Sequence, residues 1–401
     1  MVSDARGEAI WPSLDWEDHP WVPKISPDLV SASVRKRHEG PYQSAIVPLI
    51  ADLCPQLPSE VATQAEEASV EIARFDAELG AEVAPFASVL LRSESASSSK
   101  IENLTSGAKA IALAELGSTA KRTANEIVGN VAAMKAALDL ADRLDTDAVL
   151  TMQKALIGEH DPPIAGRWRD EQVWIGGDSF GPHDAEFVPP HHAHLPALMA
   201  DLIKFTSRTD LPLLSQAAIA HAQFETVHPF ADGNGRTGRA LIHAMLRGHR
   251  LTRNVTVPVS AGLLTDTRSY FDSLTTYREG NPASIVEKLA EASFAAIANG
   301  RQLVLDLRAI REGWTHVVAA RRGAAAWRLA DLLIRQPVVD AATAATELQM
   351  TTQNVLRAIT PLVNAGVLSE FTGLTRNRMW QASQVLSALD DFAARAGRQG
   401  G

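Results

Sequence analysis

The sequence predicts a mainly α-helical protein with a β-hairpin flap in its middle and a winged helix-turn-helix domain at its C-terminus. Three observations lead there. Apolar residues recur at helical spacing through most of the chain. Two strand-like pieces, "GRWRDEQVWIGG" and "AEFVPP", break that pattern between Gly and Pro punctuation. After Gly323, three helical segments are followed by two short strands. At 401 residues the chain is too long for one compact core. We divide it into an arm (1–40), a helical region (41–125), a central core (126–300), a linker helix (301–322) and the winged-helix domain (323–401).

The arm, "IWPSLDWEDHPWVP", reads as irregular chain that packs by its aromatics. From about Pro41 to Leu113 the pattern is mostly helical. "VATQAEEASVEIARFDAELG" ends in Gly80, a C-cap residue, and "PFASVLLRSESASSSKIENL" has Pro85 at its start. "TANEIVGNVAAMKAALDLADRL" is helical again. The flap then pairs Val173, Trp174 and Ile175 with Phe187 and Val188 across a turn-rich "DSFGPHD". Helical pattern returns in "HLPALMADLIKF", "LSQAAIAHAQFETV", "GRALIHAMLRGHR" and "SIVEKLAEASFAAIANGRQLVLDL". In the C-terminal domain Pro337 stops the first helix, Asp340 caps the second, and the third runs from Thr351 to Asn364. The final "GRQGG" reads as an unstructured tail.

Hydrophobic residues make up 46% and charged residues 21%, a balance that supports a buried core without disulfides. The net charge of -9 excludes a general attraction for nucleic acid. Residues 321–401 carry nine Arg and Lys against six Asp and Glu. Of these, only Arg357 lies on the third helix, so partner binding or self-association, as in a homodimer, is favoured over DNA contact there. The single cysteine, Cys54, allows no internal disulfide, and neither a leader nor an apolar run of membrane length is evident. The reading is a cytoplasmic protein with no membrane contact.

The richest stretch is "HPFADGNGRTGR", His228 to Arg239. Pro229 disfavours the α conformation at His228, so the preceding helix ends there and the imidazole sits on a bend. Gly233 and Gly235 let an anion approach the backbone, and a helix begins directly after them. Its free N–H groups and dipole attract a phosphate. Arg236 and Arg239 add forked cationic donors. Asp232 would repel a phosphate unless a hard cation such as Mg²⁺ lay between them. A dinucleotide fingerprint is excluded because a helix, not a strand, precedes the glycines. His191, His192 and His194 follow two prolines without a matching acid or cysteine set, and read as a solvated loop rather than a zinc site.

At these residues the sequence resembles the Fic-domain family, whose signature is His-Pro-Phe-x-Asp/Glu-Gly-Asn-Gly-Arg-x-x-Arg. His228, Pro229, Phe230, Asp232, Gly233, Asn234, Gly235, Arg236 and Arg239 meet it. The resemblance implies a Fic helical core and an enzyme that moves AMP from ATP to a Ser, Thr or Tyr hydroxyl of a protein, itself included, releasing pyrophosphate. It makes His228 the general base and Asp232 the Mg²⁺ ligand. It gives Asn234, with the backbone of Gly233 and Gly235, the α-phosphate, Arg236 the β-phosphate and Arg239 the γ-phosphate, with Phe230 in the nucleotide site. "SSKIEN" matches the family's inhibitory pattern through Ser98, Glu102 and Asn103, which implies that Glu102 pairs with Arg239. The flap residues would dock the target by strand addition. Two readings stand beside this one: a nucleotide-sensing DNA-binding regulator, and an enzyme acting mainly to remove AMP.

Overall fold

The computed structural model describes residues 11–23, 31–80, 83–374 and 376–397. The expectation for the tail falls, apart from Gly397, outside these residues. In chain order the structure runs β1 (Asp15–His19), α1 (Ala32–Arg37), β2 (Tyr42–Ile46), α2 (Ser59–Gly80), α3 (Val83–Ile101), α4 (Ala108–Glu115), α5 (Arg122–Asp139) and α6 (Thr146–Ile157). There follow α7 (Leu195–Thr206), α8 (Leu213–Val227), α9 (Asn234–Gly248), α10 (Val259–Leu263), α11 (Thr267–Arg278) and α12 (Ala283–Val317). The C-terminal part holds α13 (Ala325–Arg335), β3 (Val338–Asp340), α14 (Ala341–Leu348), α15 (Thr352–Asn364), β4 (Ser369–Glu370), β5 (Met379–Gln381) and α16 (Ser383–Ala396). The fold is mainly α, as the periodicity predicts.

The chain forms two compact units. One takes residues 1–66, 135–249 and 268–289; the other takes 67–134, 250–267 and 290–401. At the centre of the first unit lies α8, buried at every position from Leu214 to Val227. A helix buried all round must satisfy its polar side chains internally. Gln216 donates to the carbonyls of Phe205 and Arg208 at 2.7 and 3.1 Å. Gln223 donates to Pro48 O at 2.8 Å and accepts from the Tyr277 hydroxyl at 2.7 Å.

Two sequence expectations change in this unit. The arm is not wholly irregular, and the segment after Pro41 does not begin as helix: β1 pairs antiparallel with β2, from Asp15 opposite Ile46 to His19 opposite Tyr42. "DWEDH" carries no apolar alternation, so its strand conformation comes from a partner strand well over twenty residues away in sequence. The aromatics do anchor the arm. Trp11 packs on Tyr277 at 6.0 Å, and Trp21 meets Tyr42 and Trp174 edge-on at 5.8 and 5.7 Å. The flap hairpin contracts to a single antiparallel bridge, Ile175 to Phe187. Gly176 and Gly177 (φ 74° and 69°) turn the chain out of line directly after Ile175, which ends the pairing.

In the second unit α3 is buried along its serine run rather than lying as a solvated face. Glu94 accepts from Ser260 N and Oγ at 2.9 and 2.6 Å, and Asn130 Nδ2 donates to Ser95 O and Ser99 Oγ at 2.9 and 3.1 Å. The C-terminal elements follow the predicted order, with β3 and α16 added, and their sheet is ordered β3-β5-β4. Asp340 caps α14 through Thr343 N at 2.6 Å, as the sequence predicts. Asp76 of α2 organises the loop before α10, accepting from the backbone N–H of Arg253, Asn254 and Val255 at 3.0, 2.8 and 2.9 Å.

Among the described residues no helix is long and apolar enough to cross a membrane. Replacing Asp76 by Ala strands three backbone donors, and is expected to lower stability by about 3 kcal/mol in denaturant titration; Asp76→Asn keeps part of the loss at bay by retaining one acceptor oxygen.

Candidate active site

The HPFADGNGRTGR stretch bridges α8 and α9, and its local geometry follows from its residue types. His228 closes α8 in the left-handed conformation (φ 49°, ψ 60°), with its N–H still bonded to Phe224 O at 2.9 Å. Proline at the next position excludes the helical alternative. Gly233 is the N-cap of α9, also left-handed at φ 83°. A Cβ there would stand 2.7 Å from Leu156 Cδ2, so glycine is required twice over. Thr237 N makes the first helical bond, to Gly233 O at 3.0 Å. The N–H groups ahead of it are the unpaired donors of a helix start, and they face the loop with the positive end of the helix dipole.

The loop is braced from within. Asn234 accepts from Phe230 N and donates to Phe230 O, each at 2.8 Å. Its amide therefore shapes the loop. Phe230 is 0% exposed, packed between Trp168 (4.9 Å) and Phe224 (6.2 Å). The ring fills the space beneath the loop.

Charge converges on the same place. Arg236 is buried, with its Nε lacking any partner and its Nη2 only 3.4 Å from Asp232 Oδ2. The Asp232 side chain is 61% exposed. A buried guanidinium with one open donor calls for an anion, and an exposed carboxylate beside it suits a hard cation held jointly with phosphate oxygens. Arg239, one turn further on, is 2% exposed. His228 is half-buried and lies at the rim.

Several supporting residues gave no sequence signal. Arg169 is buried and donates to the carbonyls of His228, Glu171 and Pro190 at 2.9, 3.0 and 2.6 Å. Burial pulls its guanidinium down to about 10. Gln153 of α6 donates to Asp232 O at 3.2 Å and accepts from Gly166 N at 2.6 Å. Gly238 lets α9 lie on α8: a Cβ would meet Glu225 Oε1 at 2.7 Å and Phe224 Cδ1 at 2.9 Å. "RWRDEQ" could have been flagged for its paired arginines, but the targets of Arg169 are carbonyls, which any sequence supplies.

The flap residues come together only in part. Val173, Trp174 and Ile175 are half-buried, whereas Phe187 and Val188 are buried. Val188 O already accepts from Ala45 N at 3.0 Å. The loop between them is held by α1 and its cap: Arg37 pairs with Asp184 at 3.2 Å and His38 with Asp178 at 3.1 Å. Among the described residues His38, Asp178 and Asp184 form the group whose spacing suits a metal, but Arg37 already neutralises its carboxylates. The histidines of 191–194 are otherwise engaged. His194 bonds Glu17 at 2.9 Å, and His191 stacks on His19 at 4.6 Å.

Residues 143–246 match the model of the Fic/DOC family. This stretch is a Fic domain. Relatives of the Fic domain include protein adenylyltransferase fic-1 of Caenorhabditis elegans, 32% identical over 183 residues, which are 44% of this chain and 33% of that protein. Protein adenylyltransferase Fic of Drosophila willistoni is 34% identical over 128 residues, 30% of this chain and 24% of that protein. The chain thus spans a third or less of the length of the curated relatives it matches. A solved Fic family protein from Desulfovibrio desulfuricans G20 superposes with a TM-score of 0.51 at 18% identity, covering 82% of this chain and 98% of that one. That likeness establishes the Fic fold well beyond the signature loop.

One buried group under the Fic loop makes stability depend on pH. His221 of α8 bonds the Tyr270 hydroxyl at 2.8 Å. Burial, then the Arg239 charge, pushes it from 6.5 down to about 3. The unfolded chain therefore binds the extra proton between these values. Stability contributed by neutral His221 is complete above 6.5 and is lost as pH falls toward 3, by up to about 1.4 kcal/mol per pH unit. Calorimetry from pH 7 to pH 5 is expected to show a falling Tm, with a shallower slope in His221→Gln.

Proposed function

We propose that the chain is a protein adenylyltransferase that moves AMP from ATP to a Ser, Thr or Tyr hydroxyl of a protein. The observation that carries this reading is the buried Arg236, whose Nε has no partner, set beside the open N–H groups at the start of α9. Together they form a cradle for adjacent phosphates, in a site whose surroundings exclude water from the arginine. The names of the relatives point to the same chemistry.

In this reading the target hydroxyl oxygen attacks the α-phosphorus, the bond to the β-phosphate oxygen breaks, and pyrophosphate leaves. His228, held by its backbone at the rim, takes the hydroxyl proton. Arg169 sets its position by gripping His228 O. The α9 N–H groups at Gly235 and Arg236 carry the charge that grows on the α-phosphate, and Arg236 and Arg239 hold the pyrophosphate portion. Mg²⁺ at Asp232 would supply charge neutralisation for the leaving group. The exposed Asp232 carboxylate supports that assignment.

Self-inhibition through Ser98, Glu102 and Asn103 belongs to the same proposal. Its support lies at the end of α3. Asn103 is left-handed (φ 61°), Leu104 N bonds Ser99 O and Asn103 N bonds Lys100 O, both at 3.0 Å. This is a Schellman close, and it explains why Asn or Gly stands in that place. It fixes Glu102 as the C-cap, directly after Ile101, the last residue of α3. Pairing of Glu102 with Arg239 would then keep the arginine from the γ-phosphate. The Val173–Ile175 edge remains the proposed docking strand for the target. For the C-terminal domain, exposed Leu356 and Val363 on α15 favour a protein partner, a second copy included, over DNA.

Incubation with Mg²⁺ and ATP labelled at the α-phosphate tests this. Glu102→Gly is expected to raise protein-bound label at least tenfold over the unaltered chain, and His228→Ala in that background to remove it. ATP labelled at the γ-phosphate should leave no label. Absence of α-label in Glu102→Gly, with the nucleotide still bound, would overturn the transferase reading. Salt-sensitive DNA binding in its place would favour the regulator.

A further inference from the structure

The second unit holds a cavity of about 580 Å³ on the side of α3 defined by Arg92, Ser93, Ala96, Ser97 and Lys100. These positions form one helical face. Residues 104–108, which follow Glu102, make another wall, and α5 and α16 contribute Ile127, Leu389 and Phe392. The volume falls within the range of small-molecule sites.

Its chemistry is divided. Ser93 and Ser97 line the cavity and are only 7% and 4% exposed. Lys100, at i+3 from Ser97, holds a single backbone carbonyl, Ala393 O, at 3.3 Å. Lys121 stands exposed at the mouth. The other cations on the wall are committed: Arg92 to Glu115 at 2.8 Å, Arg122 to Glu126 at 2.8 Å. The one acid, Asp390, is occupied by Ala108 N at 2.9 Å. Opposite the polar stripe, Ile111, Ile127, Leu264, Leu389 and Phe392 form an apolar floor.

We propose that this cavity binds an amphipathic carboxylate, its head on Ser93, Ser97 and Lys100 and its apolar body on the floor formed by Ile111, Ile127 and Phe392. Two hydroxyls one turn apart beside an ammonium match the two oxygens of a carboxylate. The apolar wall adds area that a free inorganic anion leaves wet. A ligand here touches both α3 and the loop after Glu102. Resting on the inhibitory role proposed for Glu102, occupancy would change the rate of AMP labelling; the binding itself stands or falls apart from that role.

Titration calorimetry of the full chain with decanoate, below its micelle concentration, tests the site. Saturable binding of one decanoate per chain is expected, at least tenfold weaker in Lys100→Glu and in Ser97→Leu, and at least tenfold weaker for decanol. No saturable binding, or equal binding of decanol, would sink the proposal. Hydrogen exchange on the unaltered protein gives a second reading that needs no variant. Decanoate should protect amides within 92–108 and 389–393, and protection confined to other segments would place the ligand elsewhere and overturn the assignment.

Discussion

The candidate active site depends on the close contact of α8 with α9 at Gly238. There is no room for a Cβ between that glycine and the side chains of Glu225 and Phe224. The contact sets how far α9 can slide along α8, and so where its first N–H groups stand relative to His228. The connecting loop is only six residues from His228 to Gly233, with a left-handed residue at each end. Phe230 fills the space beneath it, and the Asn234 amide closes it on itself. Little freedom is left, which is what a site for a multiply charged group requires.

Buried positive charge is the second constraint. Arg169, Arg236 and Arg239 are all nearly enclosed. Burying guanidinium groups is costly unless donors are matched. Arg169 is matched by three carbonyls and serves the backbone. Arg236 is not fully matched, because its Nε has no partner. His221 stays neutral beneath them, which spares the site a further positive charge. Arg169 thus spends its donors on the backbone, whereas Arg236 keeps one open.

In the other unit, α3 does two structural jobs with one serine-rich run. One side bonds α10 and α5 through Glu94, Ser95 and Ser99. The other opens on a cavity through Ser93 and Ser97. Serine is small enough to let neighbouring helices close in and polar enough to bond whatever arrives. The helix that ends just before Glu102 is therefore held on one side and open to a cavity on the other.

Much of this was legible in the sequence. The helices α7, α8 and α9, the cap at Asp340 and the phosphate-type loop follow from spacing, proline and glycine, whose effects act within a few residues. The loop's shape is a local necessity, so the string "HPFADGNGRTGR" was sufficient to find it. The strand β1, the single-bridge flap, the burial of Phe230 and the grip of Arg169 on His228 O were not legible. Each depends on a partner distant in the chain, and three of them on backbone groups that every residue carries. Sequence alone determined which chemical groups stand at the site and the local turns that present them. Only the tertiary structure decided which of those groups are spent on holding the loop and which remain open to a ligand, because burial and hydrogen-bond pairing are properties of neighbours that the local chain does not choose.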